Sequence, residues 1–201
     1  MEEACFKKKC LLQVLENNMN ILKTKGMVKL LELLKTRRSI RKFQNKEVEK
    51  EKVDAILKGA LLSPSSKARR PWEFVAVTDK EVLKKLSQCR EHGAQFLAGA
   101  PLGIVVIANP EACDVWIEDT SIASIIIQLT AHSLGLGSCW IQVRERFYTD
   151  NEKSEDYIKQ VLGIPEKYFV ECIVAIGYPE EEKKPYAEAD LPYHKLHFNS
   201  Y

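Results

Sequence analysis

The chain has 201 residues, 45% of them apolar, and carries a net charge of +2 from 30 basic and 28 acidic side chains. That length suffices for one hydrophobic core without requiring a second domain, and outside the first 26 residues basic and acidic groups balance at 25 each, which excludes a general nucleic-acid surface. No apolar run reaches the roughly 18 residues of a membrane span, and the six scattered cysteines form no CxxC pair, which argues against zinc and a disulfide framework and fits reduced thiols in a cytoplasm.

In chain order, Leu11, Val14, Leu15 and Asn18 give a weak amphipathic helix that Gly26 punctuates. Lysines 7 to 9 precede Cys10, Leu11 and Leu12, but Gln13 and Glu16 break that apolar run, so no signal peptide is read. Residues 1–26 are expected to be a helical extension, with the domain proper running over residues 27–201.

The apolar spacing of Leu30, Leu31, Leu33 and Leu34 predicts a helix packed on a core, and it leads into Arg37, Arg38, Ser39, Ile40, Arg41, Lys42 and Phe43. Five of the eight residues from Lys35 to Lys42 are cationic. Arginine presents a planar fork of N–H donors that matches phosphate, so a helix-anchored cluster of this kind suits an anion site, while a solvated basic helix end is the bland alternative. A second helix over 49–62 places Val53, Ile56, Leu57, Ala60 and Leu61 inward. The loop over 63–71, with hydroxyls, two prolines and three cations, is a second candidate anion site.

A strand is expected over 72–77, a surface helix over 80–90 and a fully covered strand over 102–108. The helix over 116–134 is apolar nearly all round, so it needs neighbours on every side, one of them plausible as a second subunit. After Gly135 and Gly137 comes an extended segment through Gln142, then a helix over 152–162 and a strand over 169–178. Residues 180–184 read as a solvated turn, and the aromatic tail to Tyr201 has no period of its own and is expected to pack on something else. The common nucleotide fingerprints GxGxxG and GxxxxGK are absent.

Together, RRSIRKF at 37–43, SPSSKARRPWEFVAV at 63–77, GLGSCWIQ at 135–142 and VAIGYPEEEKKP at 174–185 resemble the nitroreductase family of FMN-dependent oxidoreductases. The resemblance implies an α+β fold, a central mainly antiparallel sheet flanked by helices, and a homodimer with FMN at the subunit interface and the C-terminal tail packing on the dimer. It assigns Arg37, Arg38, Ser39 and Arg41 to the FMN phosphate, ribityl chain and pyrimidine edge. It assigns Pro64, Ser65 and Ser66 to a segment contributed across the interface, Trp140, Ile141 and Gln142 to the strip along the isoalloxazine, and Lys184, or Lys183, to a last phosphate contact. Many family members carry Asn and Gln in the loop before Pro-Trp, where this chain has Ala68 and Arg70, so one amide is missing and the pocket is more basic.

The activity implied is hydride transfer from NADH or NADPH through FMN to an electron-poor small molecule, such as a nitroaromatic, quinone or enone, in a ping-pong cycle. The protein supplies position and electrostatics and no obligatory acid or base. No metal, nucleic acid or membrane partner is expected, and substrate choice falls to loops near 91–99 and 144–153. The alternative is a flavin-binding sensor, store or regulatory protein without turnover. Trp140 alone would read as a core aromatic, Cys139 as a buried small hydrophobe, His132 as internally hydrogen-bonded, and His194 with His197 as an accidental pair.

Overall fold

The computed structural model describes residues 27–201, so the expected extension over 1–26 lies outside the described residues. The described chain divides into two compact units, one of residues 37–184 and a smaller one of residues 27–36 with 185–201. In chain order the helices are α1 (Met27–Thr36), α2 (Lys50–Leu61), α3 (Lys80–Leu86), α4 (Trp116–Ser133) and α5 (Ser154–Leu162). The strands are β1 (Trp72–Val77), β2 (Leu102–Ala108), β3 (Gly137–Gln142), β4 (Phe147–Thr149), β5 (Glu152–Lys153) and β6 (Phe169–Gly177).

The larger unit is an α+β layer structure. Its sheet has the order β1-β2-β6-β3 with every pair antiparallel, and β4 and β5 form a separate small hairpin. Period-two alternation sends the strands' side chains to two faces. On one face Ile104, Val106, Val174 and Ile176 bury against Ile56 and Ala60 of α2 and Ile127 and Ala131 of α4. On the other, Val105, Ile107, Ile173 and Ala175 bury against Leu83 and Leu86 of α3 and Ile158 of α5. With both faces covered, β2 is buried along its whole length, as its continuous apolar run requires.

Several boundaries and faces differ from the sequence expectation. Helix α3 stops at Leu86 and the chain turns through 87–90, where the Ser87 hydroxyl bonds back to the Lys84 carbonyl. The expected helix at 152 begins instead at Ser154, because Glu152 and Lys153 are taken up by the hairpin. Leu61 is 59% exposed, at the end of α2. Helix α4 turns its small and polar residues to the protein and leaves Ile122 and Ile125 exposed, because Thr120 and Ser124 satisfy their hydroxyls on carbonyls of their own helix and can be buried without cost. None of the helices among the described residues is long and apolar enough to cross a membrane.

In the smaller unit α1 exposes Leu30, Leu31 and Leu34, so the face expected against a core is open in the single chain. The Tyr186 N–H donates to the Lys35 carbonyl at 3.0 Å, and the rest of the tail forms two short turns, Glu188–Asp190 and Tyr193–Lys195. His197 stacks on Tyr201 at 4.3 Å between centroids, while Leu191, Leu196 and Phe198 are exposed.

Candidate functional site

Residues 37–43 are held between two ends of the sheet. Ser39 bridges Ser138 at the start of β3 in parallel sense, and the Ile40 N–H donates to the Ser138 carbonyl at 3.0 Å. Phe43 bridges Pro179 in antiparallel sense, the Gln44 N–H reaches the Tyr178 carbonyl at 2.9 Å, and the Glu180 N–H returns to the Lys42 carbonyl at 2.9 Å. Ile40 and Phe43 sink into the core, and Arg41 and Lys42 between them are exposed. Gly137 permits this approach, since a Cβ there would lie 2.8 Å from the Ile40 Cβ.

The turn after β6 completes the arrangement. The Glu181 carboxylate accepts from the Arg41 N–H at 2.6 Å and the Lys42 N–H at 3.2 Å, and pairs with Lys183 at 2.7 Å. The Arg38 guanidinium donates to the Lys184 carbonyl. Lys183 and the two N–H groups hold the Glu181 carboxyl down at about 2. The turn expected to be solvated is therefore a brace, and Glu181 was missed because a carboxylate in an acidic run gives no local sign of the backbone it will meet.

Arg37 and Arg41 converge on one place. Both lower the Cys139 thiol's pKa through their charge, although burial still raises it above its ordinary value. Arg37 also acts on His132 in the last turn of α4, whose pKa is lowered first by partial burial and then by that guanidinium. Among the described residues neither Arg37 nor Arg41 pairs with a carboxylate.

β3 is an edge strand, and beyond the Ser39–Ser138 bridge no strand among the described residues pairs with its outer edge. By strand alternation the backbone groups of Trp140 and Gln142 share that side with Ser138, and the Gln142 carbonyl accepts from Arg90 Nη1 at 3.1 Å. Trp140 Nε1 donates to Gln142 Oε1 at 2.9 Å, and Gln142 Nε2 to the Arg144 carbonyl at 3.1 Å, which ties the side chains of the strip to each other. The Ile141 side chain belongs to the core, and its backbone groups face β6.

The loop over 63–71 is tied to α4 and to itself. The Ser66 N–H donates to Asp119 Oδ1 of α4 at 2.9 Å, Ser65 Oγ accepts from the Arg70 N–H at 2.8 Å, and Pro64 is exposed. Lys67, Ala68 and Arg70 all have left-handed backbone, with φ of 49°, 56° and 49°. Side chains with a Cβ adopt that region at a cost of about 1–2 kcal/mol each, and such strain persists only where the surroundings impose it. Among the described residues no hydrogen bond joins Pro64, Ser65 or Ser66 to the arginine cluster within one chain.

The model of the nitroreductase family matches residues 34–89 and 86–178. A protein of Archaeoglobus fulgidus, provisionally named NADH dehydrogenase/NAD(P)H nitroreductase, is 40% identical over 168 residues, which are 82% of this chain and 92% of that protein. Among solved structures, an FMN-dependent nitroreductase from Clostridium difficile superposes with a TM-score of 0.83 at 61% identity, covering 84% of this chain and 98% of the other. The NADPH:FMN oxidoreductase from Vibrio harveyi, complexed with NAD+, gives a TM-score of 0.71 at 26% identity, covering 85% and 77%.

Proposed function

The chain belongs to the nitroreductase family, and from that premise we propose that it is an FMN-dependent oxidoreductase drawing on NADH or NADPH. The observation that carries this is the meeting of Arg37 and Arg41, which pair with no carboxylate among the described residues, with the outer edge of β3. A phosphorylated, flat cofactor with hydrogen-bonding edges fits that donor set: the cations need an anion, and the strand edge needs partners.

Arg37 and Arg38 hold the phosphate with Lys184, and Ser39 and Arg41 reach the ribityl chain and the pyrimidine edge. The backbone of Trp140, Ile141 and Gln142 lies along the ring system. Glu181 keeps Arg41 in place by fixing its N–H, and Lys183 neutralises Glu181 so that the brace adds no free negative charge to the site. When bound, FMN supplies the two-electron chemistry, a hydride taken from NAD(P)H and electrons passed to an electron-poor small molecule in a ping-pong cycle.

The working form is a homodimer in which Pro64, Ser65 and Ser66 of the second copy close the site. Support comes from the exposed apolar residues Leu61 and Leu62 at the end of α2 and Ile122 and Ile125 on α4, and from a 63–71 loop held in a strained shape with no hydrogen bond among the described residues to its own chain's Arg37 or Arg41. The smaller unit's apolar tail packs on the dimer. Cys89, Cys113, Cys139 and Cys172 are unpaired and buried, which suits a reducing, cytoplasmic setting.

The test is the visible spectrum of the purified protein under anaerobic conditions, before and after NADH and then NADPH. A flavin band bleached by either donor is the expected result and names the donor. A band bleached by neither leaves flavin binding without turnover, and no band even after reconstitution with FMN removes the assignment of the arginine cluster.

A further inference from the structure

The outer edge of β3 runs roughly 13 Å from Ser138 to Gln142 at strand rise, and both of its ends are claimed. Residues 39–41 hold the first end through the Ser138 carbonyl. Arg90 holds the other, because its bond to the outward Gln142 carbonyl sets the guanidinium off that same edge. Between the two ends the Trp140 N–H and C=O have no backbone partner among the described residues.

The segment that carries Arg90 is built to hold it there. Cys89 before it is buried in the core, and the Gln95 side chain closes the loop that follows. Gln95 Nε2 donates to the Arg90 and Glu91 carbonyls at 3.4 and 2.6 Å, and its Oε1 accepts from the Gly93 and Ala94 N–H groups at 2.9 and 3.2 Å. Gly93 supplies the left-handed turn, φ 85°, and a Cβ there would lie 3.8 Å from the Arg90 Cζ, so the loop folds back against the guanidinium. The Phe96 ring then lies 5.8 Å from the Arg41 Cζ. Residues 90–96 therefore reach from the Gln142 end of β3 to the arginine cluster at the Ser138 end. Arg90 is half-buried and pairs with no carboxylate among the described residues, since the neighbouring Glu91 turns to His92 Nε2 at 3.4 Å.

We propose that Arg90 tunes the cofactor site, a cation at the far end of the β3 edge that favours the reduced, negatively charged flavin over the neutral oxidised one. This rests on the reading of the site given above, with FMN along that edge. Arg37, Arg38 and Lys184 answer the phosphate, whose charge is the same in both redox states, so they bind the cofactor without choosing between its two forms. Reduction adds charge to the ring system, and a cation beside the strip feels that change. Arg90 is such a cation: it stands at the Gln142 end, away from the phosphate cluster at the Ser138 end. Its partial burial limits screening by solvent and salt, and guanidinium stays charged at every working pH. One N–H given to a carbonyl fixes its position without neutralising it.

The midpoint potential of FMN in the reconstituted full chain, measured anaerobically against a reference dye, tests this alongside the affinity for oxidised FMN. Arg90→Met and Arg90→Gln both remove the charge, and only the glutamine keeps a donor for the Gln142 carbonyl. Both are expected to weaken reduced FMN about tenfold relative to oxidised FMN, which lowers the potential of the two-electron couple by about 30 mV. Affinity for oxidised FMN is expected to stay within about threefold of wild type in each. Arg90→Lys keeps the charge and is expected to hold the native potential. Native potentials in both neutral variants, a fall confined to Arg90→Met, an equal fall in Arg90→Lys, or loss of oxidised FMN from both neutral variants overturns the proposal. Wild-type protein that takes up no FMN instead removes the assignment of the arginine cluster, and the proposal falls with its premise.

Discussion

Gly137 matters through the side chain it lacks. Placing a Cβ there puts it 2.8 Å from the Ile40 Cβ and 2.9 Å from both of that residue's γ carbons, distances that branched carbon cannot yield by rotating. Gly137→Ala is expected to destabilise the protein by about 1–3 kcal/mol, the usual cost of overpacking, and to push residues 37–43 off β3. Denaturant unfolding and the fraction of flavin retained after gel filtration read the two effects together. Glu181 makes a pH-dependent contribution. Its carboxyl is held at about 2, against an ordinary 4.5, by Lys183 first and then by the Arg41 and Lys42 N–H groups. A carboxyl with a lower pKa folded than unfolded stabilises the protein above about 4.5 and loses that contribution as the pH falls through about 2. Glu181→Gln should therefore melt below the wild type at neutral pH, with the gap closing between those two values; a gap independent of pH would remove the charge from the account.

Among the elements, α4 does two jobs with two faces. Its inward face carries Asp119, 3% exposed, which accepts from the Ser66 N–H and so ties the helix to the strained 63–71 loop. Asp119→Ala leaves that N–H without its acceptor and is expected to cost about 1–3 kcal/mol. The loss should concentrate in the loop, with faster amide exchange at residues 65–70 than in β2, measured by hydrogen exchange. The sheet itself answers a different constraint. Between Val106 and Ile107 the β2–β6 register shifts, and β6 carries Glu171 as the residue left over. The Glu171 carbonyl then accepts from the Val143 and Arg144 N–H groups at 3.2 and 3.1 Å, and its carboxylate meets Arg144. The bulge thus steers the chain as it leaves β3.

At the scale of the whole molecule, the apolar residues left outside the core set the expected assembly. If the proposed homodimer forms through this face, Ile122→Glu together with Ile125→Glu is expected to leave a monomer and to empty the flavin site, while the far-ultraviolet spectrum stays native, because both side chains are exposed in the single chain. Sedimentation velocity with simultaneous detection at flavin wavelengths reads both outcomes. A variant that begins at Met27 is expected to keep its flavin and its melting temperature, since the family match begins at residue 34 and the Glu181 and Lys183 brace of the arginine cluster lies within 37–184.

The order and type of the main helices and of the sheet's strands, though not the β4–β5 hairpin, were legible in the chain because periodicity is a local property. The run from Leu102 to Ala108 announced a doubly covered strand, and Gly135 and Gly137 marked the end of α4. Four motifs carried the resemblance that gave the family, and three of them, 37–43, 135–142 and 174–185, meet in the folded chain. What no local pattern contains is which distant backbone a side chain will meet. Glu181 looked like any acid in a solvated run until the 179–184 turn folded against residues 37–43. Leu61, Ile122 and Ile125 had the composition of core residues, yet the sheet filled its two faces without them. Apolar character sets that a residue will be buried somewhere; only tertiary packing decides whether its own chain provides the cover, because one sheet has two faces and a limited area to give.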